Sequence, residues 1–284
     1  MANVLIAGCG YVGTALGARL ASEGHVVWGL RRRPDALLPS IHPLAADLTA
    51  PRTLRALPPG LDFVFYTASA DASDDDSYRA AYVDGLRNLL HALGHQRQDV
   101  RRVFFTSSTG VYAQSNGAWV DETSPTEPAE FSGFRVLEGE RLLLGSSFPS
   151  TVLRLGGIYG PDRTRLIERV RQGLAVCQDG PPLYTNRIHR DDCAGALRHL
   201  MTLAEPASLY LGVDHEPAEQ CEVLRWLARQ LGVSPPRLEP PLGSTPPRQS
   251  NKRCSNTRLV ASGYAFRYPG FRDGYSALLD AGGA

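Results

Sequence analysis

Residues 3–24 read NVLIAGCGYVGTALGARLASEG, and this stretch decides the fold. Asn3–Ala7 is a short apolar run closed by glycines, which predicts a buried strand. From Thr14 to Glu23 apolar residues recur at helical spacing and Gly24 follows, so we expect a helix there. Between the two elements lies GCGYVG, a G-x-G-x-x-G pattern in a strand–turn–helix context.

This turn has the spacing of a dinucleotide-binding loop. Gly8 permits a tight turn, Gly10 lets the backbone approach a pyrophosphate, and Gly13 allows the helix to pack closely on the sheet. Backbone N–H groups at the start of the helix, next to Tyr11 and Val12, would bind the phosphates at the positive end of the helix dipole.

Apolar runs and helical patterns alternate beyond this loop. Strands are expected over His25–Leu30, Ile41–Ala45, Leu61–Thr67, Arg102–Ser107 and Thr151–Leu155, and helices over Ser77–Gly94 and Leu137–Leu144. This alternation predicts an α/β fold, a doubly wound parallel (Rossmann) sheet with a smaller C-terminal substrate lobe. We assign residues 1–158 to the dinucleotide-binding domain and residues 159–284 to the lobe, which is interleaved with the final strands of the sheet. Ser234–Ser250 contains six prolines and is expected to be an irregular surface loop of the lobe.

Composition narrows the class of protein. The formal net charge of the 284 residues is +1, which argues against nucleic acid or an acidic membrane as a partner. The five cysteines form no C-x-x-C pair, so we expect reduced, buried thiols and no metal site. Residues 1–7 contain no basic region and lead straight into glycines, so no signal peptide is expected, and no apolar run reaches the roughly 18 residues that a membrane span requires. A cytoplasmic protein with a small-molecule substrate is expected, and an oligomer is compatible with the sequence.

The end of the second predicted strand bears on the choice of cofactor. A carboxylate that binds the ribose 2′-hydroxyl of NAD is expected there, but Arg31, Arg32 and Arg33 occupy the position. A guanidinium cannot accept a hydrogen bond from a hydroxyl, whereas it binds a 2′-phosphate in a bidentate manner, and Arg31 and Arg32 are the two arginines expected to do so. NADP(H) is therefore preferred, and NAD(H) remains compatible. The alternative is a solvated basic loop.

Several further segments follow in a characteristic order. They are Asp47-Leu48, Thr67-Ala68-Ser69-Ala70, Asn88, residues 106–112 (TSSTGVY), residues 153–161 (LRLGGIYGP), residues 187–192 (RIHRDD), Gly263-Tyr264 and residues 268–274 (YPGFRDG). Over nearly the whole chain this series resembles the extended short-chain dehydrogenase/reductase superfamily, in particular its NAD-dependent epimerase/dehydratase group.

The resemblance implies roles for individual residues. Asp47 would accept a hydrogen bond from the adenine amino group, and Leu48 would lie on the adenine ring. Ala68 and Ser69 would run beside the cofactor phosphates and ribose, and Gly157 would pass near the nicotinamide.

The resemblance also places residues around the substrate. Ser108 falls where the family keeps the hydroxyl that hydrogen-bonds the substrate oxygen. His189 and Asp192 would lie at a helix start lining the second lobe, where capping or core roles are the alternatives.

The family's Tyr-x-x-x-Lys pair is missing, so this chain is an atypical member. The matching segment places Ser132 and Val136 at the two positions, and a shift of one residue places Phe131 and Arg135 there. Lys252 is the only lysine in the chain, and no tyrosine precedes it at this spacing.

Other groups are then candidates for catalysis. Arg135 would supply a cation, and Tyr112 or Tyr159 would supply a phenol near the strand ends, although tyrosines there also pack structurally. We expect an NADP(H)-dependent oxidoreductase or epimerase that acts on a small polar, sugar-like substrate. The alternative is a non-catalytic protein that binds NADP(H) as a sensor or scaffold.

Overall fold

The computed structural model describes residues 1–240 and 251–282. Its strands are β1 (Asn3–Ala7), β2 (Val26–Arg31), β3 (His42–Ala45), β4 (Phe63–Tyr66), β5 (Arg102–Ser108), β6 (Ala118–Val120), β7 (Ser150–Leu155), β8 (Gly157–Tyr159), β9 (Val176–Gln178), β10 (Tyr184–Thr185), β11 (Arg187–His189), β12 (Leu209–Gly212), β13 (Ala218–Glu219), β14 (Arg237–Glu239) and β15 (Lys252–Cys254). The α-helices of the same residues are α1 (Tyr11–Ser22), α2 (Asp75–Arg79), α3 (Gly85–His95), α4 (Phe131–Leu144), α5 (Arg165–Arg171), α6 (Arg190–Thr202), α7 (Gln220–Leu231), α8 (Thr257–Ala261) and α9 (Phe271–Gly282).

Seven of these strands form the central sheet, in the order β12-β7-β5-β4-β1-β2-β3. Every pair in it is parallel. The order reverses beside β1, as in dinucleotide-binding folds, where ligands lie at the carboxyl ends of the strands next to the reversal. The predicted fold class is therefore confirmed, and β12 shows that a strand from beyond residue 158 joins the sheet.

Helices cover both faces of the sheet because apolar residues alternate sides along the strands. On one face, Leu86 and Leu89 of α3 and Val136 of α4 pack with Val64 and Phe105. The helices α1 and α6 pack against each other on the other face, where their apolar residues meet those of the strands; the buried set there includes Ile6, Leu16, Leu20, Phe104, Leu197 and Leu200.

Several helix boundaries differ from the sequence prediction. The helix α1 begins at Tyr11, within the glycine loop, and α4 begins at Phe131, six residues before the predicted Leu137. The predicted helix Ser77–Gly94 is interrupted by a π-helical turn over Ala80–Asp84. Such a turn inserts one residue per turn relative to an α-helix, and apolar periodicity alone does not reveal it.

The prediction that Ser234–Ser250 is an irregular loop is wrong in part. Arg237–Glu239, which lies between two proline pairs, forms β14 and pairs in parallel with β9. Three residues between prolines are enough for a short edge strand, because an edge strand needs hydrogen bonds on one side only. Residues 241–250 lie outside the described residues.

The smaller lobe has its own apolar core. Phe271 and Tyr275 of α9 pack with Val223 and Leu227 of α7 and with Ile167 of α5. All five cysteines of the chain are unpaired and buried, as the sequence predicted. No helix among the described residues is long and apolar enough to cross a membrane.

A buried ion pair connects α4 to β7. The Arg154 guanidinium donates to both carboxylate oxygens of Glu140, at 2.9 and 2.6 Å. Ser107 of β5 donates a third hydrogen bond to Glu140, and both charged side chains are almost fully buried. Because each charge satisfies the other, removing one of them would leave an uncompensated charge in the core.

Glu140→Gln should therefore destabilise the protein strongly, by about 3 kcal/mol or more. The matched control is Glu138→Gln on the same helix, which breaks a half-exposed pair with Arg135 and should cost about 1 kcal/mol or less. Urea unfolding measures both free energies. Equal losses for the two variants would contradict the assignment.

Candidate functional site

A cavity of about 1320 Å³ opens along the carboxyl ends of the sheet strands. It is lined by the glycine loop, the ends of β2 to β5, the residues that follow β4, and the segment that follows β7. Its volume exceeds the roughly 300–1,000 Å³ of ordinary ligand pockets, so it has room for a large ligand together with a small one.

The three loop glycines differ in what surrounds them. Gly8 has φ +83°, and a Cβ there would overlap the backbone of Ala68. A Cβ at Gly13 would come within 2.7 Å of the Thr67 hydroxyl. At Gly10 the nearest atom to such a Cβ is 3.8 Å away. Gly8 and Gly13 therefore fix the packing of the loop. Gly10 instead leaves open space beside the cavity, where a pyrophosphate would fit.

The second lobe reaches this loop through Tyr11. The Tyr11 hydroxyl donates to the Pro161 carbonyl at 2.6 Å, and the guanidinium groups of Arg163 and Arg190 lie 4.2 and 5.3 Å from the centre of its ring. Arg163 lines the cavity and has no carboxylate partner among the described residues. Two guanidinium groups of the lobe therefore lie beside the glycine loop that would bind the phosphates.

The arginines at the end of β2 all line the cavity but differ in their partners. Arg32 forms a bidentate pair with Asp71, at 2.8 and 2.6 Å, and this pairing lowers the pKa of the Asp71 carboxyl. Arg31 and Arg33 have no carboxylate partner within the described part of the chain. Of the two arginines expected to bind a 2′-phosphate, only Arg31 has an uncommitted guanidinium.

The residues assigned by the resemblance to the adenosine end line the cavity together; they are Asp47, Leu48, Ala68 and Ser69. One Asp47 oxygen accepts from the Thr49 amide and hydroxyl, at 2.8 and 2.7 Å, which holds the turn after β3. Asn88 donates to the Leu48 carbonyl at 2.9 Å and thereby fixes the same turn from α3.

Ser108 is placed as the sequence suggested, at the end of β5 and on the cavity. Its hydroxyl oxygen accepts from the Gly110 amide at 3.0 Å, which leaves the hydroxyl hydrogen free to donate. The preceding Ser107 is held by Glu140, so the buried ion pair supports the strand end that carries Ser108.

The two candidate phenols lie away from the cavity. Tyr112 is buried, donates to the Asp121 carbonyl at 2.7 Å and accepts from Arg154 at 2.6 Å; burial raises its pKa to about 12. Tyr159 is buried in the lobe against Tyr275, and burial also raises its pKa. Both placements agree with the alternative that these tyrosines pack structurally.

The segment that aligns with the missing Tyr-x-x-x-Lys pair contributes nothing to the lining of the cavity. Val136 is buried in the core, and Arg135 pairs with Asp75 and Glu138 beside a separate depression of about 740 Å³. Lys252 is buried and donates to the Tyr112 carbonyl at 3.1 Å. The placement of Arg135 therefore does not support a role for it as a replacement cation.

Three further residues that the resemblance singled out make contacts within the protein instead of lining the cavity. Gly157 starts β8 and its amide donates to the Asn186 carbonyl at 2.9 Å; it lies next to cavity-lining Gly156 and Ile158 but is not itself part of the lining. His189 caps α6 by accepting from the Asp191 amide at 3.2 Å. Asp192 is buried and accepts three hydrogen bonds, from Tyr264 and the amides of residues 267 and 268.

Several residues that line the cavity were not identified from the sequence, among them Asp71, Arg163 and Tyr82. Asp71 and Arg163 follow strand ends by a few residues, in loops without a recognisable motif. Tyr82 lies within the predicted helix Ser77–Gly94, and the one signal that the sequence offers for it is a hydroxyl among the apolar positions of that helix.

Comparison with known proteins gives consistent matches. The sequence profile of the NAD dependent epimerase/dehydratase family matches residues 4–208. Protein YeeZ of Escherichia coli K12 is 29% identical over 95% of this chain and 97% of its own length. A Mycobacterium tuberculosis 3 beta-hydroxysteroid dehydrogenase/Delta 5-->4-isomerase is 37% identical over 84% of this chain and 72% of its own length. A putative NAD-dependent epimerase/dehydratase from Methylobacillus flagellatus has a structure with TM-score 0.82 and 40% identity, covering 100% of this chain and 99% of that one.

The glycine loop gives a direct test of where a dinucleotide binds. Gly10→Ala should leave the thermal stability nearly unchanged, because its Cβ meets open space, but should weaken NADPH binding about ten-fold or more by blocking the pyrophosphate. Gly13→Ala should instead lower stability by about 1–3 kcal/mol, since its Cβ enters packed atoms. Thermal unfolding and fluorescence titration separate the two effects. Full NADPH affinity in Gly10→Ala would show that the loop is not the phosphate site.

Proposed function

Because the chain belongs to the NAD-dependent epimerase/dehydratase family, we propose that it is an NADP(H)-dependent oxidoreductase or epimerase acting on a hydroxyl or carbonyl group of a small substrate. One observation carries this proposal: a single cavity extends from the glycine loop, past Arg31, to the hydroxyl of Ser108. One cavity thereby contains groups that would bind a dinucleotide and a group that would bind a substrate oxygen.

The residues present suit the adenosine phosphates of NADP(H). The open face of Gly10 and the start of α1 would receive the pyrophosphate, with the Arg163 guanidinium beside them. The 2′-phosphate would lie at Arg31, whose charge no carboxylate neutralises in the described residues. Asp71 holds Arg32 in an ion pair, so this second arginine would contribute only after releasing Asp71.

At the other end of the cavity the chain would position the substrate. The cofactor, when bound, supplies or accepts the hydride at its nicotinamide ring. Ser108 would donate a hydrogen bond to the substrate oxygen, because its own lone pair already accepts from Gly110. Such a donor stabilises the negative charge that develops on an oxygen during carbonyl reduction.

The cavity wall formed by α2 and the π-helical turn favours a small, sugar-like substrate that carries hydroxyl groups. Ser77 and Tyr82 offer hydroxyls there, and Ala80 and Ala81 leave room. The steroid dehydrogenase relative makes hydroxysteroids the second class to include in a substrate screen.

Cofactor preference tests the Arg31 assignment. NADPH should bind about ten-fold or more tightly than NADH, since a charge-assisted contact contributes about 1.5–3 kcal/mol. Arg31→Ser should remove this preference, whereas Arg55→Ser, an exposed arginine outside the cavity, should keep it. Asp71→Asn should strengthen NADPH binding by releasing Arg32. Calorimetric titration gives all the affinities, and equal binding of NADPH and NADH by the unaltered protein would overturn the preference.

Turnover tests the role of Ser108. Ser108→Ala should reduce the rate of NADPH oxidation about a hundred-fold with an active ketone, aldehyde or nucleotide sugar, and leave NADPH affinity unchanged. The matched control is Ser124→Ala, a hydroxyl outside the cavity that bonds only within its own loop. Tight NADPH binding without turnover on any compound would favour the non-catalytic sensor, and full activity in Ser108→Ala would remove this serine from the mechanism.

A further inference from the structure

The hydroxyl of Tyr82 is placed differently from most buried tyrosine hydroxyls in this protein. The hydroxyls of the buried Tyr66 and Tyr112 and of the partly buried Tyr264 each donate to a backbone or side-chain oxygen. Tyr82 is half-buried and lines the cavity that contains Ser108. No hydrogen bond joins its hydroxyl to any residue that the structure describes. A phenol at the ligand cavity is therefore available to a ligand.

The backbone around Tyr82 is shaped by the π-helical turn Ala80–Asp84. Within this turn the Ala81 carbonyl accepts a hydrogen bond from the Tyr66 hydroxyl, which comes from the end of β4. On α4, a Cβ at Gly139 would overlap the Tyr82 carbonyl oxygen, so the close approach of α4 requires glycine there. The turn is thus fixed from two neighbouring elements, and π turns of this kind recur at functional sites.

The ring of Tyr82 is held by the strand that carries Ser108. It packs edge-on against Phe105 of β5, with the ring centres 6.4 Å apart, and lies 5.4 Å from the ring of Tyr78. Phe105 precedes Ser108 by three residues on the same strand. The strand β5 therefore both contacts the Tyr82 ring and carries the Ser108 hydroxyl, and the two residues line the same cavity.

We propose that Tyr82 supplies the phenolic hydroxyl that acts with Ser108 on the substrate oxygen, a role that no residue of α4 fills. This inference rests on the proposed oxidoreductase function. In the direction of carbonyl reduction, the O–H bond of Tyr82 breaks as the O–H bond of the alcohol product forms. The resulting phenolate takes a proton from water in the open cavity. In the direction of alcohol oxidation the same proton moves back.

The surroundings of Tyr82 determine the expected pH dependence. Burial raises its pKa to about 12, and the nearby Tyr78 adds to this shift. The titratable groups that face it are Tyr78 of α2 and Tyr66 of β4, while β5 and α4 present Phe105 and Gly139. Since no cation among the described residues lowers this pKa, the reduction rate should stay constant through neutral and alkaline pH, and alcohol oxidation should accelerate steadily with pH without levelling off below about pH 11.

The test is Tyr82→Phe in the NADPH-loaded protein, which removes one hydroxyl and keeps the ring. Turnover should fall about a hundred-fold or more, and the alkaline rise of alcohol oxidation should disappear. Calorimetry should show an unchanged affinity for NADPH and, in the unreactive complex with NADPH, an affinity for the alcohol product that falls about ten-fold. The matched control is Tyr78→Phe, whose ring contacts Tyr82 but does not line the cavity; it should behave like the unaltered protein.

The outcomes separate the two proposals. If the unaltered protein turns over a substrate and Tyr82→Phe does so equally well with the same pH profile and product affinity, Tyr82 is not the donor and the proposed function stands. If the unaltered protein binds NADPH but neither binds nor converts any carbonyl, alcohol or nucleotide sugar, both proposals are wrong.

Discussion

The close approach of the glycine loop to the end of β4 is the constraint on which the site depends. Gly8 leaves no room for a side chain against Ala68, and Gly13 leaves none against Thr67. The Thr67 hydroxyl donates to the Gly8 carbonyl at 2.9 Å, which holds the loop to the neighbouring strand. Because β1 and β4 are adjacent at the point where the strand order reverses, this contact sets the floor of the cavity.

A second constraint is the buried ion pair of Glu140 and Arg154, which supports the Ser108 end of the same cavity. Glu140 and Arg154 join α4, β5 and β7 through charge-assisted hydrogen bonds, and Arg154 continues the network to the Tyr112 hydroxyl. Networks of this kind are rigid when every member is satisfied. The helix α4, whose segment aligns with the missing Tyr-x-x-x-Lys pair, holds β5 in place through Glu140. The π-helical turn that carries Tyr82 packs directly against this helix at Gly139, so α4 also fixes the part of the cavity wall that Tyr82 lines.

Local patterns predicted the fold class and the glycine loop that lines the cavity. The strand, the GCGYVG turn and the helix are neighbours in sequence, so their spacing reports their packing directly. Local spacing does not predict which side chains pair when the two residues are distant in sequence. Arg32 is engaged by Asp71, and Arg135 by Asp75, 39 and 60 residues away respectively. Tyr82 depends on a π turn that Tyr66 supports from another strand, and apolar spacing does not encode such support.

A crystal structure of the protein with bound NADPH tests the central claim most directly, because one map shows both ends of the ligand. We expect the 2′-phosphate within hydrogen-bond distance of Arg31, the pyrophosphate over Gly10, and the nicotinamide ring between Ser108 and Tyr82. A cofactor bound with its nicotinamide outside this cavity, or with its 2′-phosphate away from Arg31, would contradict the assignment of the site.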